Sequence, residues 1–112
     1  MKNLEELSKD IHRITRKKGF WDSFTEFDKF PFYAYKLAMI HSEVTETLEA
    51  IRKEKGEDEV VLEIVDIIIR VLDFYEGLKH TGEIEGKWDL DEMMAKKIEI
   101  NEERPQMHDV RG

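Results

Sequence analysis

Two pairs of acidic residues in this sequence have a spacing that could support chemistry. Glu43 and Glu46 are three residues apart, and so are Glu63 and Asp66. Residues three apart on an α-helix share a face, so each pair could direct two carboxylates at one point. Because 26 of the 112 residues are acidic, a single pair of this kind would be weak evidence for a site.

Four carboxylates converging from two antiparallel helices would suit Mg²⁺ or Mn²⁺, which prefer oxygen ligands. Such ions could clamp a polyphosphate, neutralise its charge and activate a water molecule for attack at phosphorus. The alternative is that the acids lie on solvated helix faces, in ordinary ion pairs such as Asp66 with Arg70. Apolar residues beside both pairs favour the metal site, because an acid flanked by apolar surface is costly unless it is paired or metal-bound.

Four helical segments would position these acids. We predict helices over residues 3–18, 31–55, 58–79 and 89–103. Gly19 and Gly56 would end the first and second helices, and Asp89 with Glu92 has the spacing of a capping box at the start of the fourth. The aromatic segment FWDSFTEFDKF (20–30) has no clear period. Since no segment alternates with a period of two, the sequence predicts one all-α domain over residues 1–112, built on a hairpin of the second and third helices.

The composition of the chain argues against several classes of function. The formal net charge is −8, which argues against binding to nucleic acid or to an anionic membrane, because both require a positive surface. The absence of cysteine excludes disulfides and thiolate chemistry. Residues 1–10 lack the apolar core of a signal peptide, and charged residues interrupt the apolar stretch 60–75. We therefore expect a cytoplasmic protein.

The third predicted helix is apolar around most of its circumference. Glu63, Asp66, Arg70 and Asp73 fall within a strip roughly 80° wide, and apolar or aromatic residues line the remainder. A surface helix of a monomeric bundle usually has a narrower apolar face. We expect this helix to be central to the fold or shared with another subunit, and predict a homodimer or homotetramer.

Several segments together resemble a known family. The runs IHSEVTETLEAIRK (40–53) and EIVDIIIRVLD (63–73) resemble the E-E-x-x-E and E-x-x-D motifs of MazG-like nucleotide pyrophosphohydrolases, within the all-α NTP pyrophosphatase superfamily. IHRITRKKGFWD (11–22) and KIEINEERPQMH (97–108) resemble flanking segments of small single-domain members, including phage-encoded ones. The resemblance implies an oligomeric bundle of four to five helices. It also implies Mg²⁺-dependent hydrolysis of nucleoside triphosphates to monophosphate and pyrophosphate, by water attack at the α-phosphorus, in the removal of non-standard or excess nucleotides.

The resemblance also assigns residues. The positions that match the family's catalytic metal ligands are Glu43, Glu46, Glu63 and Asp66; the positions that match late basic and polar residues, where phosphate or base contacts are expected, are Lys97, Asn101 and Arg104. Ser42 stands where the family's motif has its first acid. If that acid is the general base or an outer ligand of the metal, its role must pass to another residue or to a water molecule held by Glu46.

Other assignments remain open. Lys97 and Arg104 could pair with phosphate, and Asn101 could bind a base edge, or all three could simply be surface residues. Trp21 could stack on a nucleobase or plug the end of the bundle. For His12 we expect a structural hydrogen bond to the aromatic segment.

Three other functions remain as alternatives. The first is a dUTP- or dCTP-selective diphosphatase of the same superfamily, which would differ only in how it recognises the base. The second is a non-catalytic helical interaction protein, for which the departure at Ser42 leaves room. The third is a nucleic-acid binder, which the net charge disfavours.

Overall fold

The computed structural model describes residues 1–105, which form an all-α fold with no strand among them. Its elements are α1 (Leu4–Lys17), α2 (Lys29–Arg52), α3 (Glu57–His80) and α4 (Leu90–Glu102). The prediction of an all-α chain is confirmed for these residues. Residues 106–112, including the last part of the 97–108 segment and His108, lie outside the described part.

Capping side chains set the helix starts. Asn3 accepts a hydrogen bond from the amide of Glu6, and the Glu6 side chain accepts from the Asn3 amide in return; together they form a capping box at the start of α1. The predicted cap of α4 is present in part, because the Asp89 side chain accepts from the amide of Glu92 at 2.9 Å. These contacts satisfy amides that have no partner inside the helix.

The predicted start of α2 was wrong by two residues. The helix begins at Lys29, so Pro31 lies inside its first turn rather than before it. A proline is tolerated there because the first amides of a helix have no intrahelical acceptor, so its missing N–H is not needed.

The central element is α3, which packs against both α1 and α2, whereas α1 is the only helix of residues 1–105 that α4 contacts. A short turn joins α2 to α3, and Gly56 takes a positive φ of 107° within it, a conformation that favours glycine. The two helices form the predicted hairpin. It brings the acidic residues of α2 beside those of α3.

The core is largely an aromatic cluster between the 18–28 segment and the hairpin. Trp21, Phe32 and Tyr33 are buried, with Phe24 and Phe74 packed against them. Several ring pairs meet edge-on or tilted at centroid distances of 5–6 Å, such as Trp21 with Phe32 at 5.2 Å, a favourable aromatic geometry. This cluster packs the 18–28 segment against the end of the hairpin that contains the start of α2 and the last turns of α3.

Much apolar surface on the N-terminal half of α3 has no partner within residues 1–105. Seven large aliphatic side chains of this helix are exposed: Val61, Leu62, Ile64, Val65, Ile68, Ile69 and Val71. An exposed apolar surface of this kind is expected to be covered by apolar residues. No helix in the described part of the chain is both long enough and apolar enough to cross a bilayer.

Candidate metal and phosphate site

Three of the four predicted acids lie together. Glu43 of α2 and Glu63 and Asp66 of α3 each offer a carboxylate oxygen, and the three oxygens lie within 4.8 Å of one another. Glu43 is only 8% exposed, whereas Asp66 is exposed. The cluster therefore extends from the interior of the hairpin to the surface.

Glu46 lies one turn beyond Glu43 on α2 and is exposed. It does not belong to the close set of three oxygens, but its charge acts on the same place. Burial raises the pKa of Glu63, and the charges of Glu46, Glu59, Glu43 and Asp66 raise it further. The acids thus repel one another, and a cation among them would relieve that repulsion.

An arginine crosses from α3 to the innermost acid. The Nε–H of Arg70 donates to Oε1 of Glu43 at 2.9 Å, so Arg70 pairs across the hairpin and not with Asp66, as considered from the sequence. The guanidinium group is planar with several donors. Because Nε contacts Glu43, the terminal nitrogens of Arg70 can serve a second oxyanion.

A cavity of about 240 Å³ adjoins the acids, and the residues that line it include Glu43, Asp66, Arg70 and Lys36. The Lys36 amine donates to the carbonyl of Phe20 at 2.7 Å and lies 4.7 Å from the Trp21 ring centroid. Burial lowers the pKa of Lys36. The cavity therefore places two cations beside the carboxylates, as a bound polyphosphate would require.

Asp73 forms the inner wall of this cavity. Its carboxylate accepts from Nδ1 of His12 at 2.8 Å, from the Thr15 hydroxyl at 2.6 Å and from the Trp21 indole at 3.1 Å. Burial alone would raise the pKa of Asp73, but these hydrogen bonds outweigh it and lower the pKa. The sequence placed Asp73 on the polar strip of α3, yet gave no sign of these partners, which come from distant segments.

The structure gives the surroundings of two ring-bearing residues considered from the sequence, His12 and Trp21. His12 bonds to Asp73 of α3 rather than to the aromatic segment, and meets Trp21 only ring edge to ring face at 4.9 Å; the predicted partner of His12 was therefore wrong. Trp21 is 7% exposed and belongs to the core cluster. Its burial matches the bundle-plugging role, and stacking on a nucleobase stays a prediction.

The basic and polar residues assigned from the resemblance, two on α4 and one just beyond its end, lie apart from the acids. Lys97, Asn101 and Arg104 are exposed, and α4 packs only against α1. None of the three lines the cavity beside Glu43. In the part of the chain that the structure describes, the cations at the acidic site are therefore Lys36 and Arg70, which the sequence had not singled out for this role.

A signal for both cations exists in the sequence. Lys36 precedes Glu43 by seven residues, two turns on the same face of α2, and Arg70 follows Asp66 by four residues on α3. Such spacings are common in charged helices, so they could be recognised as meaningful only after the register of α2 against α3 was known.

The donor set fits a hard divalent cation. Carboxylate oxygens are the ligands that Mg²⁺ and Mn²⁺ favour, and the residues able to supply them here are Glu43, Glu63 and Asp66, with Glu46 at the open side. Their mutual repulsion gives the site a physical need for positive charge. Since no histidine of residues 1–105 belongs to the cluster, the chemistry favours an oxygen-preferring ion over zinc.

Comparison of the chain with models of protein families, with curated proteins and with solved structures finds no match.

Proposed function

We propose that this protein is a Mg²⁺-dependent hydrolase that splits nucleoside triphosphates into monophosphate and pyrophosphate. The observation that carries the proposal is the convergence of carboxylate oxygens from Glu43, Glu63 and Asp66 within 4.8 Å, beside a cavity that also contains Lys36 and Arg70. Acids alone would repel a triphosphate, and cations alone would hold no metal. Together they suit a metal-bound polyphosphate.

In this proposal the carboxylates bind the metal and the cations bind the phosphates. Glu43, Glu63 and Asp66 would hold Mg²⁺, for which Mn²⁺ could substitute, and Glu46 would act at the open side of the same site. The bound ion would supply charge neutralisation and an activated water molecule. Lys36 and Arg70 pair with phosphate oxygens and orient the chain of phosphates for attack at the α-phosphorus.

Glu46 is our candidate for the base that orients and deprotonates the attacking water. It is exposed beside the cluster, and Ser42, at the position of the acid in the MazG-like motif, has a hydroxyl that is a poor base at neutral pH. The other acid of α2 at the site, Glu43, is paired with Arg70, which leaves Glu46 as the candidate on α2.

We further propose that the active form is a homodimer or homotetramer with a MazG-like arrangement. The exposed aliphatic surface of α3 would pack against a second copy. The same assembly could bring Lys97, Asn101 and Arg104 of one copy to the acidic site of another, where they would contact phosphate or base. A role in removing unwanted nucleotides would place the protein in the cytoplasm.

The test is a panel of normal, deoxy- and damaged nucleoside triphosphates with Mg²⁺ or Mn²⁺, with pyrophosphate and orthophosphate measured separately. We expect pyrophosphate as the product and a loss of about 100-fold or more in turnover for Glu63→Gln and Glu46→Gln, since even outer partners of a metal site are worth 10–100-fold. Glu102→Gln, a substitution of an exposed acid on α4, is the control. Orthophosphate as the only product, or full turnover in both variants, would refute the proposal.

Two other functions give different results in the same assay. A base-selective dUTP or dCTP diphosphatase would release pyrophosphate from one base only. A non-catalytic interaction protein would release none with any substrate. The ion pair between Arg70 and Glu43 favours this last reading, because it already neutralises one acid of the site without a metal.

A further inference from the structure

A second cavity lies between α1 and the end of α3, away from the acidic site. It measures about 470 Å³, and its lining includes Arg13, Arg16 and Lys17 of α1 together with His80 of α3. None of its lining residues lines the cavity beside Glu43. It is therefore a separate place on the molecule.

The charge of this cavity is opposite to that of the protein. The chain carries a net charge of −8, yet among residues 1–105 the cavity is lined by three cations and only one carboxylate, that of Asp22. Within residues 1–105, neither Arg16 nor Lys17 has a carboxylate within 4.0 Å. Arg13 has only a 3.5 Å contact with Asp10, at 68% side-chain exposure, which is a weak surface pair.

The surface beside this cavity is also rich in cations. A smaller hollow of about 260 Å³ shares Arg13, Arg16 and His80 with the first cavity. Burial lowers the pKa of His80, and the charges of Arg16 and His12 lower it further against the opposing effect of Glu76. The negative charge of Glu76 therefore offsets only part of the positive charge around the His80 imidazole.

We propose that this cavity binds a small phosphate-bearing anion. The guanidinium groups of Arg13 and Arg16 would pair with phosphate oxygens, and Lys17 and His80 would add donors around them. A phosphate ester carries close to two negative charges at neutral pH, which matches the excess of cations. The partly buried ring of Phe24 on the cavity wall offers an apolar contact for an organic group. The site is independent of the proposed catalysis, because it needs neither the carboxylates nor a metal.

The experiment is a titration of the full chain with inorganic phosphate, pyrophosphate or adenosine monophosphate, followed by NMR of the His80 imidazole. EDTA prevents metal-dependent binding, and a constant ionic strength keeps charge screening the same in every sample. We expect a saturable shift of the His80 signals. Arg13→Ala and Arg16→Ala should each weaken binding about tenfold or more, as expected for a hydrogen bond between charged groups.

Arg52→Ala is a matched control. Arg52 is 67% exposed and also bonds an acid three residues earlier on its own helix, Glu49, but it lies on α2 and lines neither basic cavity. Its loss should leave the affinity unchanged. Tighter binding of adenosine monophosphate than of inorganic phosphate would identify an organic phosphate as the ligand, and equal binding would identify the phosphate group alone.

The proposal would be overturned by a shift of His80 that does not saturate, by an equal response to chloride at the same ionic strength, or by equal weakening in Arg52→Ala. Because metal is absent throughout, failure here would leave the assignment of the acidic site untouched. Likewise, if the protein released no pyrophosphate in the triphosphate assay, the conclusion about anion binding in this cavity would not change.

Discussion

Asp73 is the side chain that joins α1, the aromatic segment and α3. It is buried and accepts hydrogen bonds from His12, Thr15 and Trp21. The donors come from positions 52 to 61 residues earlier in the chain. A buried acceptor with several donors is costly to remove, because each donor is left without its partner.

We predict that Asp73→Asn destabilises the protein by about 2–4 kcal/mol, the range between a lost charged hydrogen bond and a broken buried ion pair. The asparagine amide would place its own N–H groups against the donors of Thr15 and Trp21. Urea unfolding followed by tryptophan fluorescence measures the change. Asp22→Asn, at an exposed position, is the control, and an equal free energy of unfolding for both variants would contradict this role of Asp73.

The residue spacing predicted part of the candidate site. The i, i+3 pairs of acids follow from helix geometry alone, and three of the four oxygens do converge. Lys36 and Arg70 were not predicted as its cations, because their proximity depends on how α2 and α3 are aligned along each other. One sequence does not encode that alignment in any local pattern.

At the level of helix packing, Gly77 allows α3 to approach the aromatic segment. A Cβ atom built at this position would lie 2.0 Å from the Trp21 ring. The indole is rigid and is fixed by its bond to Asp73, so it cannot move aside cheaply.

Gly77→Ala should therefore destabilise the protein by about 1–3 kcal/mol, the usual cost of overpacking a core. At an exposed helix position the same change would stabilise the protein by about 1 kcal/mol. The sign of the change in unfolding free energy therefore shows whether position 77 is packed against Trp21. Thermal unfolding of Gly77→Ala beside Gly86→Ala, whose added Cβ would meet nothing within 4 Å, provides the comparison. Stabilisation by Gly77→Ala would show that Trp21 does not pack against α3 as described.

Glu5 joins α1 to α3 and to the start of α4. Its carboxylate accepts from the Tyr75 hydroxyl at 2.7 Å, from Lys79 at 2.5 Å and from the Leu90 amide at 2.8 Å. Asp91 of α4 in turn accepts from the amide of Glu5 at 3.0 Å. Burial alone would raise the pKa of Glu5, but the hydrogen bonds outweigh it and lower the pKa to about 2.

This shift predicts a pH dependence. Because the pKa of Glu5 is lower in the folded state than its ordinary 4.5, its contribution to stability is complete above that value and disappears as the pH falls towards 2. Glu5→Gln should lose about 2 kcal/mol at pH 7 and progressively less below pH 4.5. Urea unfolding of wild type, Glu5→Gln and the control Glu102→Gln at several pH values tests this. A Glu5→Gln deficit that stays constant from pH 7 to pH 2.5 would contradict it.

The helices themselves were largely predictable. Caps and glycines are local signals, so three helices begin and end within one residue of the predicted limits. The second helix begins two residues earlier than predicted, because a first-turn proline was taken as a boundary, and it ends three residues earlier, well before Gly56. The 20–30 segment could not be assigned, since its order comes from packing of its aromatic rings on α2 and α3. The placement of α4 was equally unpredictable, because it contacts only α1.

For the whole molecule, the main consequence of the fold is the uncovered aliphatic surface of α3. Ile68, near the middle of the helix, is 47% exposed. Exposed apolar patches of this kind mark interfaces in many proteins. A second copy of the chain is the partner we propose for it.

We predict that the wild-type protein is dimeric or tetrameric by sedimentation equilibrium at micromolar concentration. Ile68→Glu should dissociate it, because the new charge would be buried without a partner. Phe27→Glu, at a 95% exposed position before α2, should not. A wild-type monomer at about 100 μM would refute the assembly and, with it, any role for α4 of a second copy at the acidic site.

The most direct test of the central assignment is a Mn²⁺ titration followed by electron paramagnetic resonance, with wild type compared with Glu63→Gln, Asp66→Asn and the control Glu102→Gln. The proposed site should remove one or two Mn²⁺ ions per chain from solution, and nucleotide should tighten this binding. Both site variants should bind at least about tenfold more weakly, while the control binds as wild type does. Wild-type protein that leaves all Mn²⁺ free in solution, with and without nucleotide, would contradict the assignment of these carboxylates as a metal site.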